Sequence, residues 1–260
     1  MKILVIGDSC IDIFNYGNID RISPEAPVPV FLPQFESENP GMAANVANNI
    51  SSMGIDCDLI TNNTIIKKTR LVDSKSNQMI VRIDNNDNIP KNDRFDMYIN
   101  DCNFEGYEAI VISDYDKGFL TEKNINKILE LNKNTFLQTN KKIGNWCENA
   151  KFLKINEMEY NNSKSYIDKK ENLKDTNLIV TLGNKGCLYK DKVFNIDNKV
   201  EIRDLSGAGD TFLAGLVVEY LKSKNIESAI NFAQDMAKQV VQKSGVNVAG
   251  TENKNFRKIN

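Results

Sequence analysis

The chain opens on a continuous apolar run, KILVIGD (Lys2–Asp8), that stops at Gly-Asp. An uninterrupted run of this length predicts a strand buried on both faces, as in a parallel sheet. Two alternating segments follow, CIDIFNYG and the proline-bearing APVPVFLPQF. Proline cannot donate to a ladder, so these predict edge strands. In GMAANVANNISSMG (Gly41–Gly54), Ala44, Val46, Ala47, Ile50 and Met53 share much of a helical face between bracketing glycines. IDCDLITN predicts a strand, and TIIKKTRLVD with NQMIVRIDNND a β-hairpin. EAIVISDYDKG is a strand ending in an acid; the helix TEKNINKILELN and the strands NTFLQTN and AKFLKIN come next. TNLIVTLGNKGCLYKD gives strand, glycine turn and strand, and two long helices run from Gly207 onward. Strands alternating with helices predict an α/β fold with a mostly parallel sheet covered on both faces. The β-rich segments near residues 11–35 and 64–84 interrupt that order and predict a small sheet beside the main one. One domain is expected over residues 1–260.

Composition narrows the chemistry. With 260 residues, 41% hydrophobic and 26% charged, the chain can build an ordinary core without covalent staples. The net charge of −2 leaves no electrostatic footprint for nucleic acid. No apolar run approaches membrane-spanning length, and the N-terminal run is too short for a signal-peptide core. Cys10, Cys57, Cys102, Cys147 and Cys187 are odd in number and scattered, which predicts reduced thiols in a cytoplasmic protein. The basic C-terminal ENKNFRKIN is expected to be a solvated tail. There is no histidine. That excludes Ser-His and Cys-His nucleophiles and imidazole zinc sites, so a general base has to be Asp, Glu, Lys, Tyr or Cys.

DLSGAGDTFLAG (Asp204–Gly215) places Gly-Ala-Gly directly before a helix and follows it with an acid. A helix N-terminus carries unpaired N–H groups and partial positive charge, and glycine lets an anion approach the backbone. A carboxylate beside such a nest can deprotonate a hydroxyl that attacks a phosphate. Alone, the same four residues also fit a tight turn with a capping acid.

The surrounding motifs add to it. DLSGAGD resembles the C-terminal signature of the ribokinase/PfkB-type carbohydrate kinases, and GMAANVANNISSMG their N-terminal glycine signature. NEME (Asn156–Glu159) matches the family's N-x-x-E, and TLGNKG (Thr181–Gly186) its T-x-G-x-x-G. RISPEAPVPVF, KKTRLVD, NQMIVRID and SDYDKG are similar to the kinases acting on D-glycero-D-manno-heptose 7-phosphate, which supply the ADP-heptose of lipopolysaccharide. The resemblance implies a ribokinase-like fold with a β-sheet lid and transfer of the ATP γ-phosphoryl to a sugar's anomeric hydroxyl. Asp210 would be the base, with Gly207, Ala208 and Gly209 as the anion hole and Ser206 beside them. Asp8, Asp12, Gly41, Met42 and Asn45 would serve the sugar, and Asp114, with Lys117 just after it, would contact the sugar or order the lid. Arg70 and Arg82 would meet the 7-phosphate, a task suited to arginine's bidentate fork. Asn156 and Glu159 would organise Mg²⁺, and Thr181, Gly183 and Gly186 would flank the ATP. The family often dimerises through its lid, so a homodimer is expected. Many relatives carry a fused nucleotidyltransferase, for which this chain is too short.

Some positions depart from the family. Met42 stands where a second glycine is usual, and Ser206 replaces a threonine. LQTNKK lacks an acid that the family carries, Thr139 standing in its place. Gln234 occupies an asparagine position, and SGVNV replaces a Gly-Thr. Between CDLITN and TIIKKTR a helix and strand are almost absent, which predicts a sheet shortened at one edge. Other acceptors, including phosphosugars and nucleosides, and a non-catalytic binding relative remain alternatives. VIGDS lacks G-x-G-x-x-G, and no G-x-x-x-x-G-K-[ST] occurs, so dinucleotide-binding and P-loop folds are set aside.

Overall fold

A computed structural model describes residues 1–97, 103–171, 173, 178–196, 200–243, 245–250 and 255–259. Cys102 and Ser244 of SGVNV lie outside the described residues. The first run forms β1 (Lys2–Gly7), and β4 (Asp56–Thr61) and β7 (Ala109–Asp114) pair with it in parallel on either side. β8 (Thr135–Thr139), β9 (Phe152–Asn156) and β10 (Leu178–Thr181) extend the parallel run, and β11 (Cys187–Tyr189) and β12 (Lys192–Phe194) close that edge antiparallel. The nine-stranded order is β12-β11-β10-β9-β8-β7-β1-β4-β13, with β13 at Arg257–Lys258.

Side-chain alternation along β1 divides two cores. Ile3 and Val5 face α1 (Ala43–Ser52), α4 (Ala208–Ser223) and α5 (Ile226–Val241). Leu4 and Ile6 face α2 (Glu122–Leu131) and α3 (Glu157–Ile167). All four are fully buried. This is why the first run shows no polar alternation: both faces of β1 are covered.

A second, four-stranded sheet of order β3-β2-β5-β6 forms the lid, from β2 (Ser9–Ile22), β3 (Pro29–Met42), β5 (Ile66–Asp73) and β6 (Met79–Asn85). The expectation that CIDIFNYG is an edge strand fails. β2 contains no proline and is interior, antiparallel to β3 and parallel to β5. The edge position falls to β3, which carries Pro29, Pro33 and Pro40.

The C-terminal segment is also not a solvated tail. β13 adds a parallel strand to β4, and the Arg257 guanidinium donates to Asp58 from Nε at 3.0 Å and from an Nη at 2.8 Å. Asp58 is buried and also holds Lys2 and the Tyr107 hydroxyl. β13 therefore covers the edge of β4, beyond which the shortened connection runs directly to the lid.

Candidate active site

Asp210 sits in the first turn of α4 and is 4% exposed. Gly207 caps that helix at φ 80°, and a Cβ there would lie 2.7 Å from Asn45 Nδ2. Glycine is needed both for the left-handed backbone and for the contact. Thr211 N–H bonds back to the Gly207 carbonyl at 2.9 Å. The N–H groups of Gly209 and Asp210, just before it in the first turn, are of the kind a helix start leaves without an intrahelical acceptor. That end is an anion-binding nest.

Two donors hold the Asp210 carboxylate. Asn45 Nδ2 donates to Oδ2 at 3.0 Å, and the Tyr115 hydroxyl donates to Oδ1 at 2.5 Å. Burial pushes the Asp210 pKa from 3.8 up to about 6, against the lowering effect of those bonds and of Lys154. A carboxylate titrating near neutrality, beside a nest for anions, has the properties of a general base for a phosphoryl acceptor.

Lys154 is the group that sequence reading missed. It lies on β9, is 5% exposed, and donates to Gln138 Oε1 at 2.8 Å. A Cβ at Gly209 would stand 3.2 Å from its Nζ. Burial lowers its pKa, while the charges of Glu159 and Asp210 support its protonated form. Nothing in AKFLKIN marks it. Its place beside Gly209 makes it a cation at the anion nest.

Asn156 caps α3 and Glu159 completes a reciprocal box. Glu159 accepts from Asn156 N–H at 2.7 Å and Nδ2 at 2.8 Å, and its own N–H donates to Asn156 Oδ1 at 2.9 Å. Burial raises the Glu159 pKa. Among the described residues no cluster of three His, Cys, Asp or Glu could enclose a metal. One inward carboxylate already engaged by its cap fits a hydrated Mg²⁺ held mainly by nucleotide phosphates, with Glu159 reached through water.

A cavity of about 350 Å³ leads away from the nest. Thr181, Gly183, Gly186, Ala208 and Gly209 line it, together with apolar residues such as Ile196 and Val241. Gly183 and Gly186 have φ of 59° and 92°, and a Cβ on Gly186 would collide with the Phe194 carbonyl at 1.9 Å. Gln234 also lines the cavity and bonds that carbonyl at 2.6 Å. Ser206 is not among the residues that line the cavity; its N–H donates to Asp204 Oδ1 at 2.8 Å. An apolar slot ending at an anion nest suits a nucleotide with its phosphates toward α4.

The sugar-side residues divide. Asp12 is 6% exposed, pairs with Arg70, and uses space that only a glycine at 41 leaves: a Cβ there would be 2.1 Å from Asp12 Oδ2. Arg70 and Arg82 are directly opposite on β5 and β6, Arg82 holding Asp84. Asn45 is fully buried against Asp210 and positions that carboxylate. Met42 is buried at φ 58°, a glycine-like conformation at the N-cap of α1.

Asp8 and Asp114 are not brought to an open surface. Asp8 is fully buried, and its oxygens accept from Tyr115 N–H at 2.7 Å and Phe119 N–H at 3.2 Å. Burial and the charge of Asp114 push its pKa to about 6. Asp114, equally buried, holds Lys141 Nζ at 2.8 Å and the Thr139 hydroxyl at 2.5 Å. Asp8 fastens the loop at residues 115–119, and Asp114 accepts from Asp116 N–H at 3.3 Å in the same loop. Most of their partners are remote in sequence, so the strand-end pattern alone could not assign them this work.

Such a site, on a parallel sheet with a β-lid, defines a phosphotransferase with an alcohol acceptor. The family model for pfkB family carbohydrate kinases matches residues 68–253, and the chain belongs to that family. Among curated relatives, the bifunctional protein HldE of Helicobacter acinonychis is 32% identical, over 96% of this chain and 65% of that protein. The bifunctional protein HldE of Nitratiruptor is 29% identical, over 96% of this chain and 63% of that protein. The chain thus spans less than two thirds of these relatives' length. The alignments run to 302 and 297 positions, so the relatives hold stretches that this chain lacks. Among solved structures, ribokinase from Thermotoga maritima superposes with a TM-score of 0.70 at 20% identity, over 94% of each chain. Phosphofructokinase-2 from Escherichia coli reaches 0.74 at 13%, over 96% of each chain. Both show the fold. Among the described residues no helix is long and apolar enough to cross a membrane.

Proposed function

We propose that this protein is an ATP-dependent kinase for the anomeric hydroxyl of D-glycero-D-manno-heptose 7-phosphate. The observation that carries the reading is the buried Asp210 carboxylate at the end of α4, between the Gly207–Gly209 nest and Lys154. Phosphoryl transfer is mostly positioning and charge stabilisation. The N–H groups of the nest and the Lys154 ammonium oppose the charge that spreads over the transferring oxygens. Asp210, oriented by Asn45, takes the proton of the attacking hydroxyl. Glu159 and Asn156 would hold hydrated Mg²⁺, which neutralises phosphate charge when bound. Thr181, Gly183 and Gly186 would flank the nucleotide.

The heptose assignment rests on the lid motifs and is supported by the HldE relatives. Like charges placed opposite one another in a sheet repel. Arg70 and Arg82 stand opposite one another in that way, each now neutralised by a carboxylate, Asp12 and Asp84, and a phosphate bridging them would take over from Asp84. Asp12 then orients Arg70 from the other side. Residues 1–260 act as one kinase domain with its lid. The exposed apolar residues Met79, Val81 and Ile83 on β6, with Phe35 on β3, support a dimer through the lid; a monomer by light scattering would contradict it. The function itself is tested by ATP and Mg²⁺ with a panel of sugar phosphates, read as sugar-dependent ADP release.

A further inference from the structure

Tyr115 is the least expected neighbour of Asp210. It begins the loop after β7, and its hydroxyl donates to Oδ1 at 2.5 Å. Burial and the Asp210 charge raise the Tyr115 pKa, so the phenol keeps its proton and is the donor in this bond. With Asn45 on Oδ2, each oxygen of the base already has a donor.

The loop that carries Tyr115 is tied to the lid. Lys117 Nζ pairs with Asp87, and the Lys117 carbonyl accepts from Ile89 N–H at 2.7 Å. Both partners lie just after β6. Lys68 of β5 stands 5.8 Å from the Tyr115 ring. Asp8 fixes the loop's two ends from beneath. A ligand held under the lid therefore acts on the segment that positions the phenol.

We propose that Tyr115 guards the base. Without an acceptor, its hydroxyl occupies the oxygen of Asp210 that a reacting hydroxyl needs, so water is not activated against bound ATP. A sugar anchored by the lid has enough other contacts to displace the phenol, whereas a water molecule has none. The reaction suppressed is hydrolysis. The water oxygen forms the new P–O bond, its proton passes to Asp210, and the bond from the γ-phosphorus to the bridging oxygen breaks, releasing ADP and phosphate. This inference rests on the reading of Asp210 as general base.

The test is ADP release from ATP and Mg²⁺ with no acceptor present, so it needs no knowledge of the sugar. Tyr115→Phe keeps the ring and removes the donor. The expected result is a rise of roughly tenfold in acceptor-free hydrolysis, the scale of a hydrogen bond to a charged group, with ATP affinity unchanged. Tyr115→Phe combined with Asp210→Asn is expected to abolish the rise. Replacing Tyr115 with 3-fluorotyrosine, a better donor of nearly the same size, is expected to slow hydrolysis, and it gives the same reading should the Phe variant not fold. An acceptor-free rate that stays level or falls in Tyr115→Phe overturns the guard and leaves the base standing. So does a double variant as fast as Tyr115→Phe. Sugar-dependent turnover that survives Asp210→Asn overturns the base, and the guard with it.

Discussion

Replacing Asp210 with Asn has a consequence for stability that is separable from catalysis. Burial holds the folded-state pKa of Asp210 at about 6, against 3.8 ordinarily. A raised carboxylate pKa means that the folded protein binds the proton more tightly than the unfolded chain. Stability from this group is fully present below about pH 4 and is lost as pH rises through 6. The shift of about two units corresponds to about 3 kcal/mol of cost at pH 7.5, at ~1.4 kcal/mol per unit. Asn removes the charge and that cost. It also weakens the bond from Tyr115 and sets two amides, Asn45 and the new Asn, against each other, at about 1–2 kcal/mol independent of pH. The difference between variant and wild type should therefore move in the variant's favour by about 2–3 kcal/mol between pH 4 and pH 7.5. Urea unfolding at both pH values measures it, and the other acids, including Asp8, cancel in the difference. A difference that does not change with pH would refute the claim that Asp210 is a buried, charge-strained carboxylate.

Three further outcomes follow from the site and the sheet. The acid limb of kcat/KM should have its midpoint near pH 6, with activity falling below it, because Asp210 must be ionised to accept a proton; a flat profile between pH 5 and 8 would contradict the assignment. Lys154→Met should lower kcat by about 100-fold or more with little change in ATP dissociation constant, because the cation acts where charge develops; single-turnover kinetics with a nucleotide titration separates the two. Arg257→Ala should destabilise the protein at neutral pH, with the difference closing toward pH 2. Although burial opposes it, bonds from Arg257, Lys2 and Tyr107 hold the Asp58 pKa near 2, so their stabilisation is present above pH 4 and lost as pH falls.

What could be seen in the sequence follows from how local each signal is. β1 was visible because both of its faces are buried, and α4 because Gly207 announces a helix start at which glycine is needed. Asn156 and Glu159 form a helix-capping box, and Glu159 is buried close enough to Lys154 for its charge to be felt there. The missed features depend on partners far along the chain. Tyr115 meets Asp210 across 95 positions, and Asp8 meets Phe119 across 111. Lys154 carried no signal within its strand, because alternation cannot report that a helix begins beside it. Arg257 looked like tail until Asp58, 199 positions earlier, supplied its partner.

The central claim is that Asp210 and the α4 nest move a phosphoryl group from ATP to a sugar hydroxyl. The most direct measurement is ADP release in the presence of ATP, Mg²⁺ and D-glycero-D-manno-heptose 7-phosphate, beside sedoheptulose 7-phosphate and other sugar phosphates. Wild-type protein should release ADP with the heptose phosphate in stoichiometric step with a phosphorylated anomeric product, and Asp210→Asn should bind nucleotide but release none. No sugar-dependent ADP across the panel, or equal release by Asp210→Asn, would contradict it.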